Sequence, residues 1–474
     1  MPIPDELRPH LDATGQAHLL RFADELSDDK RLAIAQQLAE IDWDRVPGWI
    51  DTYVREKPTF EVPPGVEPAP YYPSDQSHRA WDREGYRAKG EALLRAGKVA
   101  CFTVAGGQGS RLGYDGPKGC YPAGAVTGKP LFQIFAEGIR ATGERFGATP
   151  PWYIMTSPLN HEATRVFFEQ HDYFGLGTGD VTFFMQGAMP SFDRATGKIL
   201  LAGKDQIATN PDGHGGAFKA LFRSGAVADM KSRGVEHLSY FQVDNPTVRV
   251  ADPVFIGLHA TAPDSSGEMS SKMIPKAYAE EKVGLFCAVD GKVRVIEYSD
   301  LPMDRQRETT PDGKLKFLAG SIAIHMMSVA FVEKLGGDPA FALPFHRADK
   351  KIPHVDLDTG ADVSPSEPNG VKLEQFVFDG LEYCESSIVL ETDRVEEFAP
   401  IKNAEGQDSP ASSARLQTQR AARWLEAAGV EIPKHDDGKP DCTIELSPLT
   451  ALGPEHLKGK DLFTAIDRGA EVAV

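Results

Sequence analysis

From about Lys98 onwards, short continuous apolar runs alternate with amphipathic stretches. Val99–Val104 is an apolar run followed by glycines, which predicts a buried parallel strand. In Lys129–Gly147 the apolar residues recur at helical spacing, with Pro130 suited to the first turn and Gly147 to the stop. This βαβ alternation predicts an α/β fold with a mixed, mostly parallel sheet flanked by helices.

The same alternation predicts further elements and where a ligand binds. We expect strands at Trp152–Thr156, Val181–Met185 and His237–Val243, helices at Asn160–His171 and Ala217–Arg233, and a hairpin at Asp290-Gly291. Ligands of such sheets bind beyond the carboxyl ends of the strands.

Outside this region the pattern changes. The first hundred residues are expected to be helical, with one apolar face made of Leu19, Leu20, Phe22, Ala23 and Leu26 and another made of Leu32, Ala35, Leu38 and Ile41. Proline-rich Lys57–Tyr72 predicts an irregular crossing, and periodicity weakens after about residue 385. We therefore divide the chain into a helical N-terminal unit (1–97), a central domain (98–385) and a small C-terminal unit (386–474).

Composition and charge narrow the class of protein. A net charge of −18 argues against nucleic-acid or anionic-membrane partners, whereas a few local cations can still hold small anionic substrates. No stretch is apolar enough to span a membrane, and Met1–Glu6 lacks the features of a secretion signal. Five scattered cysteines without a CxxC pair predict neither disulfides nor zinc and favour the cytoplasm. We expect a monomer by default.

The strongest chemical signal is the glycine-rich segment that follows the first strand. It reads Ala105-Gly106-Gly107-Gln108-Gly109-Ser110-Arg111-Leu112-Gly113, and Gly116-Pro117-Lys118-Gly119 comes next. Glycines such as Gly106 and Gly107 let backbone N–H groups approach phosphate oxygens, and Arg111 and Lys118 supply positive charge. The segment is neither a Walker A loop nor a dinucleotide fingerprint, which disfavours a nicotinamide-dependent oxidoreductase. A simple tight turn with two solvated cations is the alternative.

Two further segments carry candidate groups. Asp244 follows the strand His237–Val243, where a carboxylate can hold Mg²⁺ or simply cap a turn. Asp212-Gly213-His214-Gly215-Gly216 precedes a predicted helix, and its glycines suggest close approach to a base or a sugar. A flexible loop at a helix start is the other interpretation.

The chain resembles the family of UDP-N-acetylglucosamine pyrophosphorylases and their UDP-sugar pyrophosphorylase relatives. The resemblance begins with the loop Ala105–Lys118 and runs over nearly the whole chain, in Gly15–Leu20, Pro151–Ser157, Phe183–Gly187, Asp212–Gly216, Val243–Asn245, Ala251–Gly257, Lys350–Asp356, Pro368–Asp379 and Pro400–Ala404. It implies a Rossmann-like, GT-A-like nucleotidyltransferase domain. The implied reaction is magnesium-dependent joining of UTP to a sugar 1-phosphate, giving a UDP-sugar and pyrophosphate.

The resemblance also implies roles for individual residues. Asp244 matches a metal ligand, and Gly213 and His214 match contacts to nucleoside and sugar. The remaining matches are Gln186 for the uracil edge, Gly284 for the room around the sugar's substituent, Glu297 for sugar hydroxyls, and Lys372 and Lys402 for phosphates.

Two departures from the acetylhexosamine enzymes concern the sugar pocket. Those enzymes usually carry Asn where this chain has His214, and Asn where it has Ser321. N-acetylglucosamine 1-phosphate is the expected substrate, and a UDP-glucose or broad UDP-sugar pyrophosphorylase is the alternative. A binding protein without turnover is a third reading, which the presence of Arg111, Lys118 and Asp244 disfavours.

Overall fold

A computed structural model describes residues 7–474 of the chain. The predicted lack of a secretion signal in Met1–Glu6 falls outside these residues. Unit 1 comprises the described residues up to Glu61, Gln186–Ala217 and Ala342–Asp379, and unit 2 comprises Val62–Met185, Phe218–Phe341 and Gly380–Val474. These units interleave along the chain, whereas the three consecutive segments expected from the sequence remain a prediction.

Unit 2 contains a mixed sheet of ten strands among the described residues. Its strands in chain order are β1 Glu67–Pro68, β2 Val99–Val104, β3 Trp152–Thr156, β4 Val181–Met185, β5 His237–Gln242, β6 Met269–Pro275, β7 Leu285–Val289, β8 Lys292–Ile296, β9 Ala319–Ser328 and β10 Val389–Glu391. The main order is β1-β7-β9-β5-β2-β3-β4; β6 pairs with β9 and β10, and β8 pairs with β7. Strands β5, β2, β3 and β4 are parallel, and β9 runs antiparallel to β5. The α/β fold with a mixed sheet is confirmed.

The parallel strands bring two predicted segments to one edge of the sheet. Val104 of β2 faces Gln242 of β5, so both strands end at the same level. The residues directly after these two strands continue the hydrogen bonding between neighbouring strands. Val243 N–H donates to Val104 O at 3.1 Å, and Ala105 N–H donates to Met155 O at 2.8 Å. The glycine-rich loop and Asp244 therefore leave the sheet side by side.

Helices were predicted well where a capping residue marks their ends. The described chain has α-helices α1 Leu7–Ala13, α2 Asp28–Ala39, α3 Val46–Trp49, α4 Arg83–Arg95, α5 Leu131–Phe146, α6 His161–Gln170, α7 Ala217–Arg223, α8 Ala226–Ser232, α9 Pro253–Thr261, α10 Met303–Gln306, α11 Val329–Gly337, α12 Arg394–Glu397 and α13 Pro410–Ala427. Helix α5 ends at Gly147, whose φ of +79° gives the expected stop. The single helix predicted over Ala217–Arg233 is wrong, because Gly225 at φ +82° separates α7 from α8.

Unit 1 combines amino-terminal helices with short strands. These strands are Ala188–Pro190, Phe192–Asp193, Leu201–Gly203, Gln206–Ile207, Thr209–Pro211, His346–Lys350, His354–Val355, Asp362–Val363 and Gly370–Glu374. All three stretches of unit 1 contribute to its core, as Leu38, Val46, Ile199 and Val371 illustrate.

Two details of the predicted helical start are corrected by the structure. Leu19, Leu20 and Ala23 lie on two short 3-10 turns, Ala17–Leu20 and Ala23–Glu25, rather than on one helix, and Phe22 and Leu26 flank the second turn. Helix α2 buries Ile34, Ala35 and Leu38, whereas Leu32 is 43% exposed. Across residues 7–474 no helix has the length and apolar character that a membrane span requires.

Candidate functional site

The glycine-rich loop is held in shape by its own backbone. Gly109 N–H donates to Gly116 O at 2.9 Å, and Lys118 N–H donates to Gly107 O at 3.1 Å. Within residues 7–474, the amides of Gly106 and Gly107 have no backbone acceptor. A Cβ built on Gly107 would have nothing within 4 Å, so this part of the loop leaves room for a ligand. The loop can therefore present N–H groups to phosphate oxygens.

Cations and one carboxylate gather beyond the ends of β2 and β5. Lys118 Nζ lies 3.8 Å from Asp244 Oδ2, and the two side chains are 16% and 13% exposed. Burial lowers the pKa of Lys118, Asp244 opposes this effect, and the nearby charges of Lys402 and Arg111 lower the pKa further. The structure thus brings Arg111, Lys118, Asp244 and Lys402 together, and their roles in binding and catalysis remain predictions.

The turn that carries Asp244 is anchored by its neighbour. Asn245 is 4% exposed, and its Nδ2 donates to Glu397 O at 2.7 Å. Its Oδ1 accepts from Ala399 N–H at 3.0 Å, and Asp244 O accepts from Ile401 N–H at 2.8 Å. These bonds hold the backbone of the turn at Asp244 and Asn245.

Lys402 lies on a loop closed by Asp408. Asp408 O accepts from the N–H groups of Lys402 and Asn403 at 2.6 and 3.0 Å. Burial raises the pKa of Asp408, the charge of Lys402 opposes this, and Asp244 raises it further. Among residues 7–474, neither Lys402 nor Arg111 forms an ion pair with a carboxylate, so both can receive a ligand anion.

The three predicted sugar-pocket residues of unit 2 also meet. Ser321 N–H donates to Gly284 O at 2.8 Å. A Cβ on Gly284 would lie 2.8 Å from Val295 Cγ1 and 3.1 Å from Glu297 Oε1. Gly284, Glu297 and Ser321 thus form one surface at the ends of β7, β8 and β9.

In unit 1 the glycines around His214 pack closely against other parts of the protein. A Cβ on Gly213 would lie 2.4 Å from Gln375 O, and one on Gly216 would lie 2.2 Å from Asp212 Oδ2. Gly213 also has φ +85°, and Gly215 N–H donates to Gln375 O at 2.8 Å. Close packing within the protein accounts for these glycines, and their approach to a base or a sugar remains a prediction.

His214 itself is held by two contacts. Its Nδ1 accepts from Val377 N–H at 3.0 Å, and its ring stacks on Phe376 with centroids 5.1 Å apart. An Nδ1 that accepts a backbone N–H places the proton of the neutral ring on Nε2. His214 is therefore oriented as an Nε2–H donor.

Gln186 and Lys372 lie in unit 1 as well. Gln186 is 7% exposed and precedes Gly187, whose carbonyl accepts from Asp212 N–H at 3.1 Å. Lys372 lies on the strand Gly370–Glu374, opposite Ala348. In the described chain Lys372 has no carboxylate within ion-pair distance.

Sequence reasoning missed the residues that hold the site rather than form its surface. Asn160 Nδ2 donates to Ala105 O at 2.9 Å and to Gly107 O at 3.2 Å, tying the glycine-rich loop to the start of α6. Asn245 and Asp408 were missed in the same way. The position of Asn160 before a helix signals a cap, but no local pattern reveals its contact with residues about fifty positions away.

Comparison with known proteins gives one family. A family model described as UTP–glucose-1-phosphate uridylyltransferase matches residues 74–431. The chain is 36% identical to UDP-N-acetylhexosamine pyrophosphorylase-like protein 1 of Xenopus tropicalis, over 96% of this chain and 94% of the relative. It is also 36% identical to the UDP-N-acetylglucosamine pyrophosphorylase of Saccharomyces cerevisiae, over 84% of each protein.

A solved structure agrees with these relatives. The crystal structure of the uridine diphosphate N-acetylglucosamine pyrophosphorylase from Trypanosoma brucei superimposes with a TM-score of 0.79 and 27% identity. The alignment covers 97% of this chain and 94% of that one.

Proposed function

Because this chain belongs to the UTP–glucose-1-phosphate uridylyltransferase family, we propose that it joins UTP to N-acetylglucosamine 1-phosphate and releases pyrophosphate. The observation that carries the proposal is the cluster of Arg111, Lys118, Asp244 and Lys402 beside the glycine-rich loop. Cations, backbone amides and one carboxylate complement a nucleoside triphosphate with its metal ion.

The reaction needs positioning and charge screening rather than a general base. An oxygen of the sugar 1-phosphate, already an anion at neutral pH, forms a bond to the α-phosphorus of UTP. The bond between the α-phosphorus and the bridging oxygen breaks, and pyrophosphate leaves with the electron pair. Arg111 and Lys118 are proposed to hold the β- and γ-phosphates and to stabilise the leaving charge. Lys372 and Lys402 are proposed to neutralise the transferring phosphates.

Asp244 fits a metal that is held mainly by substrate. Among residues 7–474 no group of three His, Cys, Asp or Glu side chains could hold a metal ion alone. Mg²⁺ is commonly bound by one or two carboxylates together with substrate phosphates, and the partly buried carboxylate of Asp244 suits that arrangement. Mg²⁺, when bound, would supply charge neutralisation on the phosphates. Asp244 would hold it, and Asn245 would keep the backbone of that turn in place.

N-acetylglucosamine 1-phosphate is proposed as the sugar because the relatives with 36% identity carry acetylhexosamine or acetylglucosamine names. His214 and Ser321 favour glucose 1-phosphate as the second candidate, since both differ from the usual residues of the acetylhexosamine enzymes. The absence of a side chain at Gly284, where a Cβ would meet Val295 and Glu297, leaves more room beside these two residues than any other residue type would.

Pyrophosphate release from UTP tests the proposal. The assay compares N-acetylglucosamine 1-phosphate, glucose 1-phosphate and a no-sugar control, each with Mg²⁺ and with a chelator. We expect the fastest release with the acetylated sugar and none without sugar or metal. Faster release with glucose 1-phosphate would establish the second candidate. Binding of UTP without release in any mixture would contradict enzymatic function.

The state of the cysteines bears on where the protein is located. All five cysteines are free thiols, which supports the cytoplasm. A monomer is proposed, and light scattering of the purified protein tests it.

A further inference from the structure

A cavity of about 100 Å³ lies within unit 2, and none of the predicted site residues lines it. Its walls come from α5, from residues 246–253, from α13 and from residues 445–456. Arg87 and Glu455, which are 26% and 41% exposed, lie at its solvent side. The cavity is therefore a separate and accessible feature of this unit.

The walls combine apolar and basic side chains. Ile134, Phe146, Val248, Trp424 and Leu452 provide the apolar surface. The basic side chains are Lys129, Arg87, Arg145, Arg249 and Arg420.

Carboxylates in the same walls are already occupied by protein donors. Glu137 accepts from Lys129 Nζ at 3.1 Å and from Ser447 Oγ at 2.7 Å. Glu445 accepts from Val126 N–H at 2.8 Å and from Thr127 N–H at 2.7 Å. The oxygens of Glu137 and Glu445 are thus directed at these donors, whereas Asp252, Glu396, Glu397 and Glu455 supply negative charge near Arg249.

Arg420 is a partly buried cation of the cavity wall that lacks a full set of hydrogen-bond partners. Within residues 7–474 it has no carboxylate within ion-pair distance, and its buried Nε has no hydrogen-bond partner. Its Nη1 donates to Thr247 O at 2.9 Å, and its guanidinium lies 4.4 Å from the centre of the Trp424 ring. Burial and the charge of Arg249 lower the pKa of Arg420 to about 10.

Arg249 also lies near Trp424, 5.9 Å from the ring centre, but against the effect of burial neighbouring carboxylates raise its pKa. Its Nη2 reaches Glu396 at 3.1 Å, but its buried Nε also lacks a partner among the described residues. Both side chains are partly buried, and each has one buried Nε–H without an acceptor, an arrangement that an added acceptor would stabilise.

We propose that this cavity binds a small molecule carrying a phosphate or carboxylate group on a compact apolar body, with Arg420 and Arg249 receiving the oxyanion. A guanidinium group donates paired hydrogen bonds to either oxyanion, and the desolvated setting strengthens them. A volume of about 100 Å³ accommodates an oxyanion and a few carbon atoms. The ring of Trp424 and the side chains of Ile134 and Val248 would cover the apolar part.

The fluorescence of Trp424 provides a direct test. Propyl phosphate, butyrate and neutral 1-butanol are titrated into the full-length protein with UTP present, so that the nucleotide site is filled. We expect a saturable change with at least one anion, a response to 1-butanol at least tenfold weaker, and loss of the signal in Trp424→Phe. Arg420→Met should weaken anion binding at least tenfold, because it removes charge-assisted hydrogen bonds.

Arg423→Met is the matched control. Arg423 lies on the same helix, is 50% exposed and is absent from the cavity wall, so its loss should leave the affinity unchanged. Equal affinities in Arg420→Met and Arg423→Met, or no saturable change with either anion, would overturn the proposal. Comparing propyl phosphate with butyrate identifies which oxyanion is preferred.

A second variant covers the case in which Arg420→Met does not fold. Ala451→Val adds methyl groups at the cavity wall and leaves both arginines in place. This variant should bind the anion at least tenfold more weakly than the wild type. An unchanged affinity would show that the anion binds elsewhere.

Discussion

Gly284 is the residue at which one added methyl group would meet two side chains of the predicted sugar pocket, Val295 and Glu297. We expect Gly284→Ala to lower kcat/KM for N-acetylglucosamine 1-phosphate about tenfold. One methyl group too many in a binding pocket typically lowers kcat/KM by about this factor. The KM for UTP should change little. Initial rates at varied sugar 1-phosphate measure the effect. Gly179→Ala, where a Cβ meets nothing within 4 Å, is the control.

Lys118 and Asp244 are expected to act on different parts of the reaction. Lys118→Ala and Asp244→Ala should each lower kcat by about a hundredfold or more, because each removes one preorganised charge. Only Asp244→Ala should also raise the Mg²⁺ concentration needed for half-maximal rate. Steady-state rates over a Mg²⁺ series distinguish the two.

Lys98→Ala is the control for both variants, since Lys98 pairs with Glu236 on the surface at 2.7 Å. Near-normal rates in Lys118→Ala or Asp244→Ala would contradict the role assigned to that residue.

At the scale of single residues, the sequence predicted that Arg111, Lys118 and Asp244 lie at the same edge of the sheet. Residues that follow neighbouring parallel strands must meet at that edge. It could not predict why Gly213 is a glycine. The atom that would clash belongs to Gln375, far along the chain, and no local spacing encodes that contact.

At the scale of elements, helix α13 depends on its first turn. Ser409 is 1% exposed, its Oγ accepts from Ser412 N–H at 3.2 Å, and Ser412 Oγ accepts from Ser409 N–H at 2.8 Å. We expect Ser409→Ala to reduce the free energy of unfolding by about 1 kcal/mol, the usual cost of a lost cap. Urea unfolding measures it. Ser232→Ala, at an exposed helix end, should have a smaller effect, and equal losses would contradict the capping role.

Elements with both a periodic pattern and a terminal signal were predicted closely. Strands β3 and β4 have the expected bounds, and Asp290-Gly291 forms the expected hairpin with φ of 50° and 77°. The break at Gly225 was missed because apolar spacing on both sides of it fits a single helix. A glycine at positive φ after the last turn of a helix is a local stop signal, which apolar periodicity alone does not register.

At the scale of the whole molecule, buried histidines are expected to make the fold sensitive to acid. Burial lowers the pKa of fully buried His259 well below 6.5, and burial also lowers the pKa of His237. Below about pH 6.5 the unfolded chain binds these protons more readily than the folded one, so stability falls as pH falls.

We expect the free energy of unfolding to decrease between about pH 7 and about pH 5, by up to about 1.4 kcal/mol per pH unit for each such histidine. Urea titrations at several pH values measure this slope. His259→Leu should have a smaller slope than the wild type, and an unchanged slope would contradict the role of that residue.

Unit 1 is built from stretches that are far apart in the sequence, and this determines when the unit can fold during translation. Residues up to Glu61 share a core with Ala342–Asp379, which the ribosome makes roughly 300 residues later. At typical elongation rates this interval is roughly 15–60 s, during which Leu38 and Val46 have no finished core to enter. The nascent amino-terminal stretch therefore exposes apolar side chains for long enough to be a client for ribosome-associated chaperones, and the unit folds only near the end of translation.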